Sequence, residues 1–484
     1  MSPTNDALMG GYQPGTSYCE MTAQNRAGDA GMAALMARLQ NLSIEELQTR
    51  AGRVDREFYN LGITFTVYSE ADAIDRVLPF DVVPRVLTAK EWDVLEAGVV
   101  QRVAAINAFL TDIYSDRKIL ADGVVPSDLV LQNKNYRPAA EGVKVPHNAY
   151  VNICGIDLIR DADGIFRVLE DNARTPSGVS YVIENRHMML RVFADLFGDT
   201  GVRAVDDYGM QLHRAMTEMV PAETVDPSVV LLSPGIYNSA FFEHVFLARE
   251  MGVALVEGRD LFVAEDDCVY MNTIGGAERV HAIYRRVDDD FLDPEVFRED
   301  SLLGVPGLVR AWRAGKVAIA NAIGTGVADD KAIYAYMPRI IKYYLDQDAI
   351  LPNVETHLCR EVEGLQYTLD NLADLVVKPV GESGGYGMLI GPKSTAEEVE
   401  EFRAKLQADP ANYISQPTID LSVSPTVTQD GLRPRHVDLR PFAITGESTW
   451  VLPGGLTRVA LKEGSLVVNS SQGGGSKDTW VLNQ

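Results

Sequence analysis

With 484 residues, 46% of them hydrophobic and 23% charged, the chain has material for about two to four domains with ample core. Its net charge of −24, from 68 acids against 44 bases, excludes a broad basic surface for nucleic acid or anionic lipid, and its four scattered cysteines form no C-x-x-C pair for zinc or a disulfide framework. No apolar run approaches the ~20 residues of a membrane-spanning helix, and the polar first 30 residues lack a signal peptide's apolar segment, so a cytoplasmic location is expected.

The elements fall into four stretches. Residues 1–74 begin with a Gly-, Asn-, Thr- and Pro-rich segment of about 30 residues expected to be loosely ordered, then turn helical after the capping box Ser43-x-x-Glu46. Residues 75–204 carry a second capping box, Thr88-x-x-Glu91, opening a long amphipathic run from about Ala89 to Ser115. A hairpin, the breaker cluster Thr175-Pro-Ser-Gly178 and a helix from about Tyr181 to Phe197 follow. In residues 205–320 short apolar strands at Val229–Ser233 and Val253–Val256 alternate with a helix, the mark of a small parallel α/β unit. The acidic triplet Asp288-Asp-Asp290 reads there as a solvated loop. In residues 321–484, Asp329 or Asp330 caps a helix that Pro338 is expected to break or kink at Met337. The strand Leu375–Lys378, a helix near 396–408 capped by Ser394 or Thr395, and several strands complete the chain.

The hairpin carries chemistry. With Asp163-Gly164 as a two-residue turn, Asp157 lands opposite Glu170, and strand alternation puts Phe166, Val168, Glu170 and Asn172 on one face. Opposed carboxylates repel on a bare sheet, and a cation relieves them. Asp157, Glu170 and Asn172 form an all-oxygen set suited to Mg²⁺ shared with substrate phosphates. The plain alternative is a solvated hairpin with two surface acids.

A second constellation lies about 200 residues later. Val380-Gly-Glu-Ser-Gly-Gly-Tyr-Gly387 joins two strands, and its glycines let main-chain N–H groups approach an anion; no Walker Gly-Lys-Ser/Thr or helix follows, which separates it from a P-loop. Lys378 closes the preceding apolar strand, where an ammonium needs a partner, and Lys331 is a second candidate cation. Tyr413-Ile-Ser-Gln416 reads as a strand whose edge meets an adenine. Arg440 and Arg458 are strand-borne bases that either face the site or pair with structural acids. Asn469–Lys477 reads as a polar loop over the site or a flexible tail.

These parts resemble the ATP-grasp superfamily, with its closing acid and Glu-x-Asn element coming first in the chain. Leu169-Glu-Asp-Asn-Ala-Arg-Thr-Pro-Ser-Gly178, Val377-Lys-Pro-Val-Gly-Glu-Ser-Gly-Gly-Tyr-Gly387 and Asn469–Lys477 are similar to segments of the circularly permuted ATP-grasp type 2 family and, more distantly, of the synthetase domain of glutathionylspermidine synthetase. The resemblance runs from about residue 75 to the last residue. It implies an α/β (α+β) fold: a permuted ATP-grasp with an inserted small parallel α/β unit and a helical N-terminal region. It also implies ATP and Mg²⁺ as cofactors, with Asp157, Glu170 and Asn172 on the metal and Lys331, Lys378, Gly384, Gly385, Gly387 and Gln416 on the nucleotide. Arg458, with Lys331 and Arg440, is implied at the reacting phosphate. The activity implied is carboxylate–amine ligation through an acyl phosphate, on small-molecule or peptide substrates, with no nucleic-acid or membrane partner. Gly155 departs from the distant relatives, which carry an arginine there. An ATP-binding scaffold and a kinase that stops at phosphoryl transfer stay open as alternatives.

Overall fold

The computed structural model describes residues 11–22, 30–68, 73–197, 201–381, 387–466, 468 and 474–483. Its centre is a nine-stranded sheet. Seven strands run in the order Thr449–Val451, Phe442–Thr445, Ile153–Arg160, Gly431–Arg440, Leu456–Val459, Gly475–Val481 and Phe80–Leu87. Val423–Thr428 pairs with Gly431–Arg440, and Phe166–Asn172 with Ile153–Arg160. Within it, Gly475–Val481 lies parallel to Phe80–Leu87, with Ser476 opposite Phe80.

One face of the sheet shares a core with the helices Ala89–Ile113 and Lys331–Leu345, the other with Ile44–Leu61, Val179–Val192, Tyr208–Glu218 and Phe241–Met251. The parallel α/β unit forms as expected, with strand order Ala318–Ala320, Ala282–Arg285, Val229–Leu232, Ala254–Val256. Its alternating residues feed both large cores, Val230, Leu232 and Ile283 one, Leu231 and Tyr284 the other. A small antiparallel sheet, in the order His357–Leu358, Tyr413–Pro417, Leu375–Pro379, Leu389–Ile390, packs with Ala396–Ala408 around its own core of Leu375, Val377, Leu389, Phe402 and Leu406. The class is α/β, with the small parallel unit inserted between the parts of the chain that build the central sheet, as expected.

Helix starts follow their caps. Ser43 and Thr88 each accept from the backbone N–H three residues on and receive the reciprocal glutamate, and Thr395 does the same for the helix at 396. Asp330, not Asp329, caps Lys331–Leu345, accepting from Ala332 and Ile333 N–H. Pro338 neither breaks nor ends that helix. The carbonyl it leaves without an intrahelical donor, Tyr334 O, accepts from Asn353 Nδ2 at 2.8 Å.

Ala89–Ile113 forms as expected after its cap and packs into the core. It is long and apolar enough to cross a membrane, yet 61% of its apolar window is buried inside the protein and its Arg102 forks onto Asp171. Residues 1–10 and 23–29 lie outside the described residues, but 11–22 are packed rather than loose: Cys19 bridges Val423 and buried Glu20 takes Arg85 and Arg160. The acidic triplet is only partly solvated, because Asp289 is buried against Arg285 and accepts from Gly324 N–H at 3.0 Å. Finally, the segment read as ending in a polar loop or tail enters the central sheet. Residues 469–473 lie outside the described residues, and from Gly475 the chain is a fully buried strand whose Lys477 ammonium bonds Asp81, Val83 O and Pro425 O.

Candidate functional site

The hairpin reaches the expected pairing by two compensating departures. Its turn has three residues: Gly164 N–H donates to Asp161 O, Asp161 N–H to Ile165 O, and Gly164 adopts φ +78°. This puts Arg160 opposite Phe166 and Ile159 opposite Arg167, one residue out of step with a two-residue turn. A β-bulge at Leu169 restores the step, so Asp157 stands opposite Glu170 and Gly155 opposite Asn172. The bulge also corrects the predicted face. Phe166 and Val168 share the buried side with Leu158 and Arg160, while Glu170 and Asn172 share the partly open side with Asp157.

Asp157 is 1% exposed, and the cation that relieves it is arginine. Arg440 forks onto it through Nε and Nη2, Arg458 Nη2 lies 2.6 Å from Oδ2, and Asn172 Nδ2 donates to Oδ1 at 3.4 Å. Arg458 also pairs with Asp438, its cross-strand neighbour. Burial works to raise the Asp157 pKa, but the two guanidiniums outweigh it and hold the carboxyl well below its usual range. Arg440 lies over Gly155. A Cβ there would stand 3.1 Å from Arg440 Cδ and 3.3 Å from Pro176 Cβ.

Glu170 differs. No hydrogen bond or ion pair reaches its carboxylate among the described residues, and burial, reinforced by Asp157, raises its pKa against the opposing charges of Lys331, Arg440 and Lys378. Three cations from the later part of the chain thus lie close enough to act on it electrostatically. Lys378, on Leu375–Pro379, donates to Gln416 Oε1 at 2.7 Å, and Gln416 Nε2 donates to Thr356 Oγ1 at 3.0 Å. Burial pulls the Lys378 pKa down to about 8. Lys331 N–H donates to Val380 O at 3.3 Å, tying its helix to the base of the glycine segment.

Gly387 takes φ +68° at the far end of that segment; Gly384 and Gly385 lie outside the described residues. The strand holding Gln416 is internal to its sheet rather than an edge, and Gln416 itself is 2% exposed and committed to Lys378 and Thr356.

The described residues contain no group of three His, Cys, Asp or Glu placed for a metal. Hard oxygen donors open to Mg²⁺ are the Glu170 carboxylate and Asn172 Oδ1. Asp157 fits such a set only after releasing a guanidinium, since both its oxygens are taken.

Several residues escaped the sequence reading. Asn321 Oδ1 accepts from Asn152 and Ile153 N–H, and its Nδ2 donates to Ile153, Ala173 and Arg174 carbonyls, pinning the base of the hairpin to the parallel sheet. Asp329 accepts from Ala173 N–H at 2.5 Å and Arg174 Nε at 2.6 Å. Lys134 Nζ donates to Gly381 O. Only Arg174 had a sequence signal, its place two residues after Asn172. Three successive residues after the hairpin are held from different sides: Pro176 O by Arg286, Ser177 O by Arg440 and Gly178 N–H by Glu243.

Comparison with known proteins agrees with this architecture. An uncharacterized protein of Synechocystis sp. is 50% identical over 472 residues, 97% of this chain and 98% of that one. A Frankia casuarinae protein named "Putative glutamate--cysteine ligase 2-2" is 42% identical over 475 residues, and the chain spans about half of it, 98% of this chain against 54% of that one. A glutathione synthetase-like effector from Globodera pallida, solved in apo form, superposes with a TM-score of 0.55 at 10% identity, covering 91% of this chain and 98% of that one, a likeness of fold. The sequence pattern of the circularly permuted ATP-grasp type 2 family matches residues 84–460, and the chain belongs to that family.

Proposed function

We propose that the protein is an ATP-dependent carboxylate–amine ligase that works through an acyl phosphate. The observation that carries this reading is the meeting of the two constellations. The open Glu170–Asn172 edge lies within electrostatic reach of Lys331 and Lys378, and the segment that starts the Lys331 helix is tied through Asp329 to Ala173 and through Lys331 to Val380. A triphosphate lying between the hairpin and the glycine segment meets ammonium groups on one side and oxygen donors on the other.

Phosphoryl transfer needs positioning and neutralised charge rather than a protein nucleophile. Lys378 and Lys331 hold the phosphates. Glu170 and Asn172 would hold Mg²⁺ jointly with phosphate oxygens, where it supplies charge neutralisation. Arg440 and Arg458, parked on Asp157, sit where a departing phosphate gathers charge. The substrate carboxylate attacks the γ-phosphorus, ADP leaves, and an amine then displaces phosphate from the acyl carbon to give an amide.

The test is a screen of carboxylate and amine pairs for ADP release, with products identified by mass spectrometry. Amide formation that depends on both partners supports the ligase. ADP release with a carboxylate alone and a stable phosphorylated product marks a kinase, and nucleotide binding without turnover marks a scaffold.

A further inference from the structure

Arg174 and Asp288 form a pair of opposite charges that the fold builds but does not close. Arg174 emerges two residues past Asn172, at the mouth of the proposed site. Its stem runs over Gly326, where a Cβ would stand 2.8 Å from Arg174 Cδ, so the groove exists because that residue has no side chain. The inner edge of its guanidinium is fixed, with Nε donating to Asp329 Oδ2 at 2.6 Å. Its backbone is fixed as well, with the carbonyl accepting from Asn321. The two terminal nitrogens make no hydrogen bond among the described residues. What faces them is Asp288 Oδ1, 3.8 Å from Nη1, an ion pair too long to be a hydrogen bond.

Asp288 is similarly held and similarly open. It follows the parallel strand Ala282–Arg285 and occupies the N-cap position of the turn Asp289–Leu292, yet its carboxylate caps nothing and accepts no hydrogen bond among the described residues. The parallel sheet reverses its order between Val229–Leu232 and Ala282–Arg285, since the chain goes from the first of these to Ala254–Val256 on one side and returns to the second on the other. Ligands of open α/β sheets gather beyond the carboxyl ends of strands at such a reversal. Arg174 and Asp288 are 37% and 52% exposed, so a small solute reaches both.

The geometry points to a binding site for an α-amino-acid head group, Arg174 receiving the carboxylate on its two terminal nitrogens and Asp288 receiving the ammonium. A guanidinium fixed at Nε presents the planar fork that carboxylates match, and a carboxylate a few ångströms away suits the adjacent ammonium of a zwitterion but repels a dicarboxylate head. The inference rests on the ligase reading in that it names the class of one of its substrates. That substrate reaches from the parallel sheet toward Glu170 and Lys378.

Calorimetry tests this by titrating the purified full chain with each of the twenty L-amino acids, with and without Mg²⁺ and a nonhydrolysable ATP analogue. The strongest binder is compared with its α-carboxamide and its des-amino analogue. The expected result is at least tenfold weaker binding for each analogue, with Arg174→Gln abolishing discrimination against the carboxamide and Asp288→Asn abolishing it against the des-amino acid. Should Arg174→Gln fail to fold because partly buried Asp329 loses its cation, Asp288→Asn alone decides, its carboxylate having no closer contact to lose among the described residues. Binding of no amino acid, or variants that discriminate as the native protein does, overturns the inference. A nucleotide analogue that binds while no amino acid does removes this site and leaves the ligase reading standing; failure of the nucleotide to bind removes the latter.

Discussion

Replacing Lys378 by methionine is expected to make the protein more stable and less able to hold a nucleotide. Burial draws this ammonium from a lysine's ordinary 10.5 down to about 8. At about 1.4 kcal/mol for each pH unit, keeping it charged in the folded protein at pH 7 costs roughly 3 kcal/mol. Losing its hydrogen bond to Gln416 offsets ~1 kcal/mol, so Lys378→Met should gain ~2 kcal/mol at pH 7. The sign follows from proton counting. Between about pH 8 and 10.5 the unfolded chain binds the proton that the folded one has released, so native stability rises with pH there and the advantage of the variant shrinks. Urea denaturation at pH 7 and pH 10 reads the difference. Nucleotide binding moves the other way, because a phosphate oxygen stabilises the ammonium and a thioether does not. Affinity for a nonhydrolysable ATP analogue should fall by roughly ten- to a hundredfold, the worth of a charge-assisted hydrogen bond. Above pH 8 the native protein should take up a proton on binding, visible in buffers of different ionisation enthalpy. A variant less stable than the native protein at pH 7, with unchanged affinity and proton uptake, would refute both the burial argument and the phosphate role.

Glu170→Ala should abolish ATP turnover while leaving the melting temperature unchanged or higher, since the carboxylate it removes is half-buried without a partner among the described residues; retained turnover in the purified variant counts against the assignment. Asp157→Ala leaves two buried guanidiniums facing each other and should destabilise by ~3–5 kcal/mol in denaturant titrations. In the native protein the stabilisation from Asp157, whose folded pKa lies below its unfolded one, is complete above the usual aspartate range and is lost as pH falls through it toward the folded value. Gly155→Ala pushes on Arg440 from 3.1 Å and on Pro176 from 3.3 Å, and should cost ~1–3 kcal/mol and slow turnover together, read by melting and ADP release.

How far the sequence reached depends on whether a feature is local. Helix caps are local, and Ser43, Thr88 and Thr395 were legible because a side chain three residues from its partner needs no tertiary help. The Asp157–Glu170 pairing was legible as an outcome but not as a path, since neither the extra turn residue nor the bulge at Leu169 leaves a mark in composition. Pro338 misled as to a break because the group that rescues its freed carbonyl, Asn353, lies on another segment. Gly475–Val481 misled for the same reason on a larger scale. Its polar residues suggest solvent, but Lys477 finds Asp81 and Asp478 finds Arg186, partners hundreds of residues earlier. In the candidate site the acids and bases were readable as residues, whereas the occupation of Asp157 by two arginines came from strand order, which no single segment encodes.

The parallel pairing of Ser476 with Phe80 also governs how the protein is made. A ribosome releases Phe80–Leu87 long before its neighbour Gly475–Val481, and although Glu20 is already there to pair with Arg85, Asp81 waits across 396 residues for the Lys477 ammonium. The sheet cannot close from one side as it emerges; it waits for residues 475–481, and translation stalled short of them yields a chain with an exposed, charged strand edge that a chaperone must shelter.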